Sequence, residues 1–159
     1  MDKFKQDINT FLVDAFNSLL QIEEDFLAKG RFNNITVKEM HLIDTAVNMR
    51  DNNIAKNIAR KMNITQSTLT TAVSTLEKKG MLVRKTDEKD RRIVKIYPTE
   101  KAMQVYQHHQ EFHHELVDVV THSLSPQELN AFVSGLNKVR EFFDSKKLFL
   151  PLVCSKEIL

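Results

Sequence analysis

The sequence predicts a mainly α-helical fold with one small β hairpin, and three observations lead to this prediction. Glycine and proline are scarce, with 3 residues of each among 159, while 42% of the residues are apolar, so the chain can form long helices around a buried core. Apolar residues recur three or four positions apart over most of the sequence, which is the period of a helix that packs on one side. Two short stretches after Gly80 instead alternate apolar and polar residues, as strands do.

The composition also bounds the class of function. A single cysteine, Cys154, excludes an internal disulfide framework and suits a reducing compartment. No stretch resembles a signal peptide or an apolar membrane span of about 18 residues, so we expect a cytoplasmic protein with no membrane partner. The sequence lacks a glycine-rich phosphate loop, and the adjacent carboxylates Glu23 and Glu24 point apart on a helix, so we do not expect an enzyme.

The N-terminal part of the chain predicts two helices. Apolar residues recur at helical spacing from Lys3 to Leu27, which predicts a long amphipathic first helix, and Gly30 is a typical C-terminal stop. Thr36, with Glu39 three residues later, forms the capping-box pattern that starts a second helix.

A short third helix and a fourth helix follow. The segment NNIAKNIARKMNI carries apolar residues at Ile54, Ile58 and Met62, its last residues form a turn, and Thr65 caps the fourth helix. Two helices that are joined by so short a turn form a helix-turn-helix.

The outer face of the fourth helix, TQSTLTTAVSTLEKKG, is rich in hydroxyl groups. Seven of the eleven residues from Thr65 to Thr75 are serine or threonine, which are middling helix formers, and the first acidic residue, Glu77, comes in the last turn. Short side chains that donate and accept hydrogen bonds can enter the major groove of DNA, where a carboxylate would be repelled. The pattern therefore favours a DNA-recognition helix over an ordinary surface helix with a hydroxyl-rich face.

A β hairpin is predicted directly after this helix. MLVRKT has the pattern of a strand, DEKDRR that of a polar turn and Ile93 to Pro98 that of the returning strand, so the whole unit is a winged helix-turn-helix. In this fold the recognition helix enters the major groove, and the hairpin, called the wing, reaches the backbone or the adjacent minor groove. Arg91 and Arg92 lie at its tip, where Asp90 can hold one guanidinium; the alternative is a solvated charged turn.

Charge is distributed unevenly, although the net charge is only +2. Residues 50–101 contain 13 basic and 6 acidic residues, whereas the remainder contains 10 basic and 15 acidic ones. A basic middle is expected of a protein that faces a polyanion, the alternative being an uneven solvated surface. The candidate DNA contacts are polar and basic residues of the fourth helix and the wing, with the aspartate beside them: Gln66, Ser67, Thr68, Thr70, Thr71, Ser74, Lys78, Arg84, Asp90, Arg91 and Arg92.

At these residues the sequence resembles the MarR family of bacterial transcriptional regulators. The wing pattern of the family is Asp-x-Arg followed after five residues by Leu-Thr, and Asp90, Arg92 and Thr99 match it, with Pro98 where leucine is usual. The resemblance extends over about residues 4–146. It implies a homodimer, joined through the first and last helices, that binds a pseudo-palindromic operator and usually represses transcription. Because the outer face of the recognition helix carries no arginine, the residue that most often reads guanine, we expect an A/T-rich operator.

The C-terminal half favours a dimer independently of the resemblance. Residues 99–122 and the segment after the Ser125-Pro126 helix start both have broad apolar faces at helical spacing. With the first helix they offer more apolar surface than a compact basic middle needs, so we expect the excess to be buried against a second subunit. We assign 1–30 and 100–147 to a helical dimerisation region, 35–99 to the winged helix-turn-helix DNA-binding domain and 148–159 to a C-terminal extension that docks on the dimer.

The resemblance also indicates an effector. Segments such as IEEDFLAKGRF and ITVKEMHLID are similar to the FabT branch of the family, which represses fatty-acid synthesis genes with a long-chain acyl carrier protein as corepressor. For this partner we expect an apolar channel between the first, second and fifth helices, lined by Leu12, Phe16, Leu19 and Met40.

Zinc sensing is the alternative. His109 and His113 are four residues apart on one helix face, a spacing at which two imidazoles can bind one ion. The zinc-dependent AdcR branch uses two such histidines with a histidine of the second helix and a glutamate of the first, and the corresponding positions here are His41 and Glu24. A phenolic or other small ligand is a third alternative for the effector.

Overall fold

The computed structural model describes residues 2–29 and 32–149, apart from the side chains of Phe16 and of residues 146–149. In chain order its α-helices and strands are α1 (Lys3–Lys29), α2 (Val37–Met49), α3 (Ala55–Lys61), α4 (Gln66–Lys78), β1 (Leu82–Thr86), β2 (Val94–Pro98), α5 (Glu100–His122) and α6 (Pro126–Phe149), and a single 3-10 turn (Arg50–Asn52) follows α2. The predicted mainly helical winged helix-turn-helix fold is confirmed, with β1 and β2 paired as an antiparallel hairpin. The predicted stop at Gly30, Cys154 and residues 150–159 lie outside the described residues.

The helix α2 is central in the molecule. It begins at the predicted capping box, in which the Thr36 hydroxyl accepts from the Glu39 backbone N–H at 3.2 Å and the Glu39 carboxylate accepts from the Thr36 backbone N–H at 2.9 Å. Because α2 packs against α1, α3, α5 and β2, it is apolar on more than one side, and Met40, Leu42 and Ile43 are fully buried. The helix thus joins α1 and α5 to the winged helix through one continuous core.

The turn between α3 and α4 has a left-handed residue at its bend. Asn63 has a φ of 55°, a conformation that asparagine tolerates better than most side chains. Thr65 then caps α4 as predicted, since its hydroxyl accepts from the Thr68 backbone N–H at 3.1 Å. The helix buries three apolar residues at helical spacing: Leu69, Val73 and Leu76.

The wing is joined to the helix-turn-helix by Asn53, a residue to which the sequence analysis assigned no role. Its backbone carbonyl accepts from the Ile96 N–H at 3.0 Å, and its side-chain amide donates to the Ile96 carbonyl at 2.9 Å. Asn53 is only 2% exposed, and the neighbouring Ile54 forms a bridge with Lys95. The segment before α3 therefore pairs with β2 through an isolated β-bridge and the hydrogen bonds of Asn53.

The passage from β2 to α5 is held by Thr99. Its hydroxyl accepts from the Ala102 backbone N–H at 3.2 Å and donates to the Gly80 carbonyl at 2.8 Å, so it caps α5 and also binds the end of the α4–β1 connection. Pro98, which stands where the family usually has leucine, is the last residue of β2 and leaves this arrangement intact.

Three helices carry apolar side chains that the rest of the described chain leaves exposed. The helix α6 makes few contacts with other elements, and much of α1 and the second half of α5 are also open. The exposed large apolar residues of these helices are Phe4, Ile8, Phe11, Val13, Leu20, Ile22, Leu116, Val117, Val119, Phe132, Val133, Leu136, Phe142 and Phe143. Across residues 2–29 and 32–149, no helix is long and apolar enough to cross a membrane.

Candidate nucleic-acid interface

The polar residues predicted on the fourth helix share one outward face of α4. Gln66, Ser67 and Thr71 are exposed, and Ser74 is half-buried on the same stripe. Thr68, Thr70 and Lys78 are exposed as well. The opposite side of the helix is packed into the core, so the polar side is the part of α4 that a partner can reach.

Four of the hydroxyl groups of α4 donate hydrogen bonds back into their own helix. The Thr70 hydroxyl donates to the Gln66 carbonyl at 2.8 Å, and three more hydroxyls donate in the same way to the carbonyl four residues earlier, at 2.9 to 3.2 Å: Thr71, Ser74 and Thr75. Each bond uses the single hydroxyl hydrogen and leaves the oxygen lone pairs and the threonine methyl groups for a partner. In this state these four hydroxyls offer acceptors to a partner, and the three threonines also offer methyl groups.

The structure brings an arginine to this face, whereas the sequence analysis found none on the helix itself. Arg84 belongs to β1, and its Nη2 donates to the Thr70 carbonyl at 3.2 Å and to the Ser74 hydroxyl. The same nitrogen lies 3.0 Å from the Glu77 carboxylate, which also accepts from the Arg84 backbone N–H at 3.1 Å. Arg84 therefore connects the wing to α4 and places its guanidinium beside the hydroxyl face.

Asp87 organises the turn of the wing, a role that the sequence analysis did not foresee. Its carboxylate accepts from the backbone N–H groups of Lys89, at 2.9 Å, and Asp90, at 3.2 Å. It also lies 2.7 Å from Nζ of Lys95 in β2. The hydrogen bond from Lys95, together with those from the turn, holds the pKa of Asp87 below its ordinary value.

Asp90 holds Arg92 as the sequence predicted. One carboxylate oxygen accepts from Nε at 3.0 Å and the other from Nη2 at 3.0 Å, which is the side-on bidentate arrangement of an arginine and a carboxylate. These hydrogen bonds lower the pKa of Asp90 and raise that of Arg92. The Arg92 side chain is 92% exposed, so its guanidinium is oriented but remains accessible at the tip beside the exposed Arg91.

One edge of α4, at Gln66 and Thr70, borders a cleft together with the wing. A cavity of about 330 Å³ lies between α3, α4 and the wing, and its lining includes Lys56, Gln66, Thr70, Arg84 and Arg92. Side chains from both predicted DNA-contacting elements therefore face the same space, together with cationic groups from three elements.

The far end of α4 is tied to α2. Nζ of Lys79 lies 2.7 and 2.8 Å from the two carboxylate oxygens of Glu39, the residue that also completes the capping box of α2. Burial raises the pKa of Glu39, but hydrogen bonds from Lys79 and Thr36 outweigh it, so the pKa is lower than ordinary. The orientation of α4 is thereby coupled to that of α2.

A second polar cluster lies between α1, α2 and α5, away from the wing. Oε1 of Glu23 is hydrogen-bonded to Nε2 of His109 and lies 3.1 Å from Nε2 of His41. One ligand atom each of Glu23, His109 and His113 lies within 4.8 Å of the other two. Burial, and then the neighbouring His109, lower the pKa of His113.

The structure places one of the predicted metal ligands outside this cluster. Glu24, the residue named from the sequence, is exposed and lines a shallow pocket with Leu27 and Asn33. Glu23 occupies the cluster instead and is 3% exposed. His109 is 2% exposed, and within the described part of the chain its Nδ1 has no hydrogen-bond partner. A buried carboxylate with the imidazoles of His109 and His113 is a donor set that suits zinc, and His41 contacts the same carboxylate.

The structure describes the side chains of three of the four residues that were predicted to line an apolar channel. Met40 is fully buried in the core, whereas Leu12 and Leu19 are half-buried on α1. The side chain of the fourth residue, Phe16, lies outside the description. The channel therefore stays a prediction.

Comparison with known protein families agrees with this geometry. The model of the MarR family matches residues 35–94, a range that runs from just before α2 to the start of β2 and includes the hydroxyl face and the wing tip. The comparison with curated proteins gives no match.

Solved structures resemble nearly the whole chain. The crystal structure of Streptococcus pneumoniae FabT in complex with DNA is 31% identical with a TM-score of 0.82, and the match covers 89% of this chain and 98% of that one. BldR from Sulfolobus solfataricus is 25% identical with a TM-score of 0.62, covering 89% and 99%. The S. aureus MepR–DNA complex, 18% identical with a TM-score of 0.68 and coverage of 84% and 95%, shows the similarity of fold.

Truncation of Glu23 tests the packing of the second cluster. We expect Glu23→Ala to lower the free energy of unfolding by about 2 to 4 kcal/mol, because it leaves buried His109 without its partner. Glu24→Ala, the matched control on the exposed neighbour, should change it by less than about 0.5 kcal/mol. Urea unfolding followed by circular dichroism measures both, and equal losses in the two variants would contradict the assignment of Glu23 to the cluster.

Proposed function

The chain belongs to the MarR family of DNA-binding transcriptional regulators, and we propose that it is a repressor that binds a pseudo-palindromic, A/T-rich operator as a homodimer. The observation that carries this proposal is that α4, which bears the exposed hydroxyl face, and the oriented Arg92 of the wing border the same cleft. A recognition helix in the major groove would place such a wing against the neighbouring backbone or minor groove. The similarity to S. pneumoniae FabT, whose structure contains DNA, supports the same mode of binding.

The dimer is proposed from the exposed apolar faces of α1, α5 and α6. Phe4, Phe11 and Leu136 are 76%, 63% and 50% exposed. The exposed apolar area to which they belong is larger than a soluble monomer normally leaves in contact with water. A two-fold axis through these helices would bury this area against its own copy. The two α4 helices could then enter successive major grooves, about 34 Å apart.

The choice of bases is proposed to come from the hydroxyl face. Threonine methyl groups can contact the methyl group of thymine, and hydroxyl lone pairs can accept from the exocyclic amine of adenine. Arg92 suits the narrow minor groove of A/T-rich DNA, where the negative potential is strongest. We infer that Thr71 and Ser74 affect which bases are preferred more than they affect binding to random DNA.

Selection of bound duplexes from a random pool tests the proposed operator. We expect an A/T-rich, pseudo-palindromic site whose half-sites lie about one helical turn apart, because two identical surfaces bind it. Affinity for the selected site should fall steeply as salt rises, since phosphate contacts release counterions. Recovery of G/C-rich sites, or of sites without two-fold symmetry, would contradict the proposal.

Removal of the wing-tip guanidinium tests the contribution of the wing. Arg92→Ala should weaken binding to the selected operator by about 5- to 140-fold while leaving the thermal unfolding temperature unchanged, because the side chain is almost fully exposed. Lys89→Ala removes an equal charge from the same turn and is the control, with a smaller expected loss. Fluorescence anisotropy with labelled duplex measures both, and unchanged affinity of Arg92→Ala would reject the role of the wing.

For the effector, we propose a long-chain acyl carrier protein and regulation of fatty-acid synthesis genes. The support is the resemblance of the α1 and α2 segments to the FabT branch, together with the 31% identity to S. pneumoniae FabT. The acyl chain would enter between α1, α2 and α5, beside the half-buried Leu12 and Leu19 of α1 and the buried Met40 of α2. A change there could reach the recognition helix through α2, because Glu39 of α2 binds Lys79 at the end of α4.

Zinc is the second candidate effector, favoured by the cluster of Glu23, His41, His109 and His113. The buried carboxylate and imidazoles would hold the ion, and its charge would join α1, α2 and α5 more firmly. Nδ1 of His109 is a further buried polar atom of this cluster, and no hydrogen bond within the described chain accounts for its burial.

Thermal unfolding with each candidate, combined with metal analysis of the purified protein, separates the two effectors. The acyl proposal predicts that a long-chain acyl carrier protein raises the unfolding temperature and changes operator affinity, whereas zinc does neither. The zinc alternative predicts bound metal and a zinc-dependent rise that disappears in His113→Ala and persists in His114→Ala, the exposed neighbour. A response to zinc alone would overturn the acyl proposal.

A further inference from the structure

We propose that Arg84, a residue of the wing strand β1, reads a guanine in each half-site of the operator. This inference rests on the proposed DNA binding and adds a base-specific contact to it. It also means that the A/T-rich operator contains a fixed G·C pair in each half-site, at the position that Arg84 reaches.

The position of the guanidinium is the first argument. Arg84 contacts Thr70, Ser74 and Glu77, which lie on successive turns of one side of α4. The guanidinium donates a hydrogen bond to the Ser74 hydroxyl, so it lies beside the hydroxyl face. It can therefore enter the major groove of DNA together with α4. The side chain is still 32% exposed, so a partner can reach it.

The chemistry of the hydroxyl face is the second argument. Guanine presents two acceptors, N7 and O6, in the major groove, and its recognition needs donors. The hydroxyls of Thr70, Thr71, Ser74 and Thr75 already donate to carbonyls of α4, so they face outward with acceptors. Arg84 supplies donors directly beside them, in the fork geometry that fits N7 and O6 of one guanine.

The unused donors of Arg84 are the third argument. Within the described chain, the hydrogen bonds of its guanidinium all come from Nη2, while Nε and Nη1 have none. Glu77 also holds the Arg84 backbone at 3.1 Å, so the only acidic residue of α4 orients a cation. A guanidinium that is fixed on one side and free on the other loses little conformational entropy on binding a base.

A purely mechanical role is the competing explanation. Arg84 could serve only as a strut between β1 and α4, in which case its removal would weaken binding to every duplex by the same factor. A base-reading role makes a different prediction, because the loss then depends on whether the guanine at one position is present. Substitution of individual guanines by 7-deazaguanine separates the two roles, since it removes the N7 acceptor and preserves base pairing.

The test compares the wild-type protein and Arg84→Ala on the selected operator and on versions with 7-deazaguanine at each guanine in turn. At one symmetric pair of positions, we expect the substitution to weaken wild-type binding by roughly tenfold or more. Arg84→Ala should bind the natural operator more weakly and should not respond to 7-deazaguanine at that pair. Lys85→Ala, which removes the adjacent cation of β1 that lies over the Tyr97 ring, is the control and should respond like the wild type.

Arg84→Lys keeps the positive charge but lacks the forked pair of N–H donors of a guanidinium. It replaces Arg84→Ala in this test if Arg84→Ala does not fold. It should bind random DNA like the wild type and should respond less strongly than the wild type to 7-deazaguanine at the same pair, because a single ammonium cannot bind N7 and O6 in the fork geometry. A wild type that is insensitive at every guanine, or an Arg84 variant that keeps the full sensitivity, would overturn the inference. If the wild type prefers no duplex at all, the proposed DNA-binding function fails instead, and the two failures are thus distinguishable.

Discussion

The attachment of the wing to the helix-turn-helix is the constraint on which the rest of the structure depends. A two-stranded hairpin is at best marginally stable alone in water, so β1 and β2 need support from elsewhere. Asn53 supplies it at one edge by pairing with Ile96, and Arg84 supplies it on the other side by binding α4. The hydroxyl face and the wing tip are therefore fixed relative to each other before any partner arrives, which lowers the entropy lost on binding.

The same region shows how a basic surface can contain acidic residues without losing its affinity for a polyanion. Three carboxylates near the cleft and the wing are each paired with a cation: Glu77 with Arg84, Asp87 with Lys95 and Asp90 with Arg92. Such exposed pairs contribute little to stability. Their effect is to orient long side chains and to cancel the local negative charge. Arg91 and other exposed cations then make the net charge of this surface positive.

Local patterns in the sequence predicted the local structure well. The capping box of Thr36 and Glu39, the cap at Thr65, the hydroxyl face of α4 and the Asp90–Arg92 pair all depend on residues within a few positions of one another. The periodicity of apolar residues likewise gave the six helices, because packing on one side imposes a period of 3.6 residues. These features could be predicted since their causes lie within one or two turns of the chain.

Features that depend on distant residues could not be predicted from pattern alone. Asn53 binds a residue 43 positions away, and Arg84 binds Ser74 across the α4–β1 connection. The choice between Glu23 and Glu24 illustrates the same limit. Adjacent residues on a helix point about 100° apart, and the packing of α1 against α2 and α5 decides which one is buried. Spacing drew attention to His109 and His113, and the family resemblance to His41, but only the fold identifies Glu23 as the carboxylate that contacts His41 and His109.

Hydroxyl-radical footprinting of the protein on its selected operator tests the central claim most directly, namely that two copies of this rigid surface bind one duplex. The account predicts two protected segments on one side of the duplex, related by two-fold symmetry and about 34 Å apart, with protection of the flanking minor grooves that Arg92→Ala removes. A single unsymmetrical protected segment, or uniform weak protection along the duplex, would contradict it.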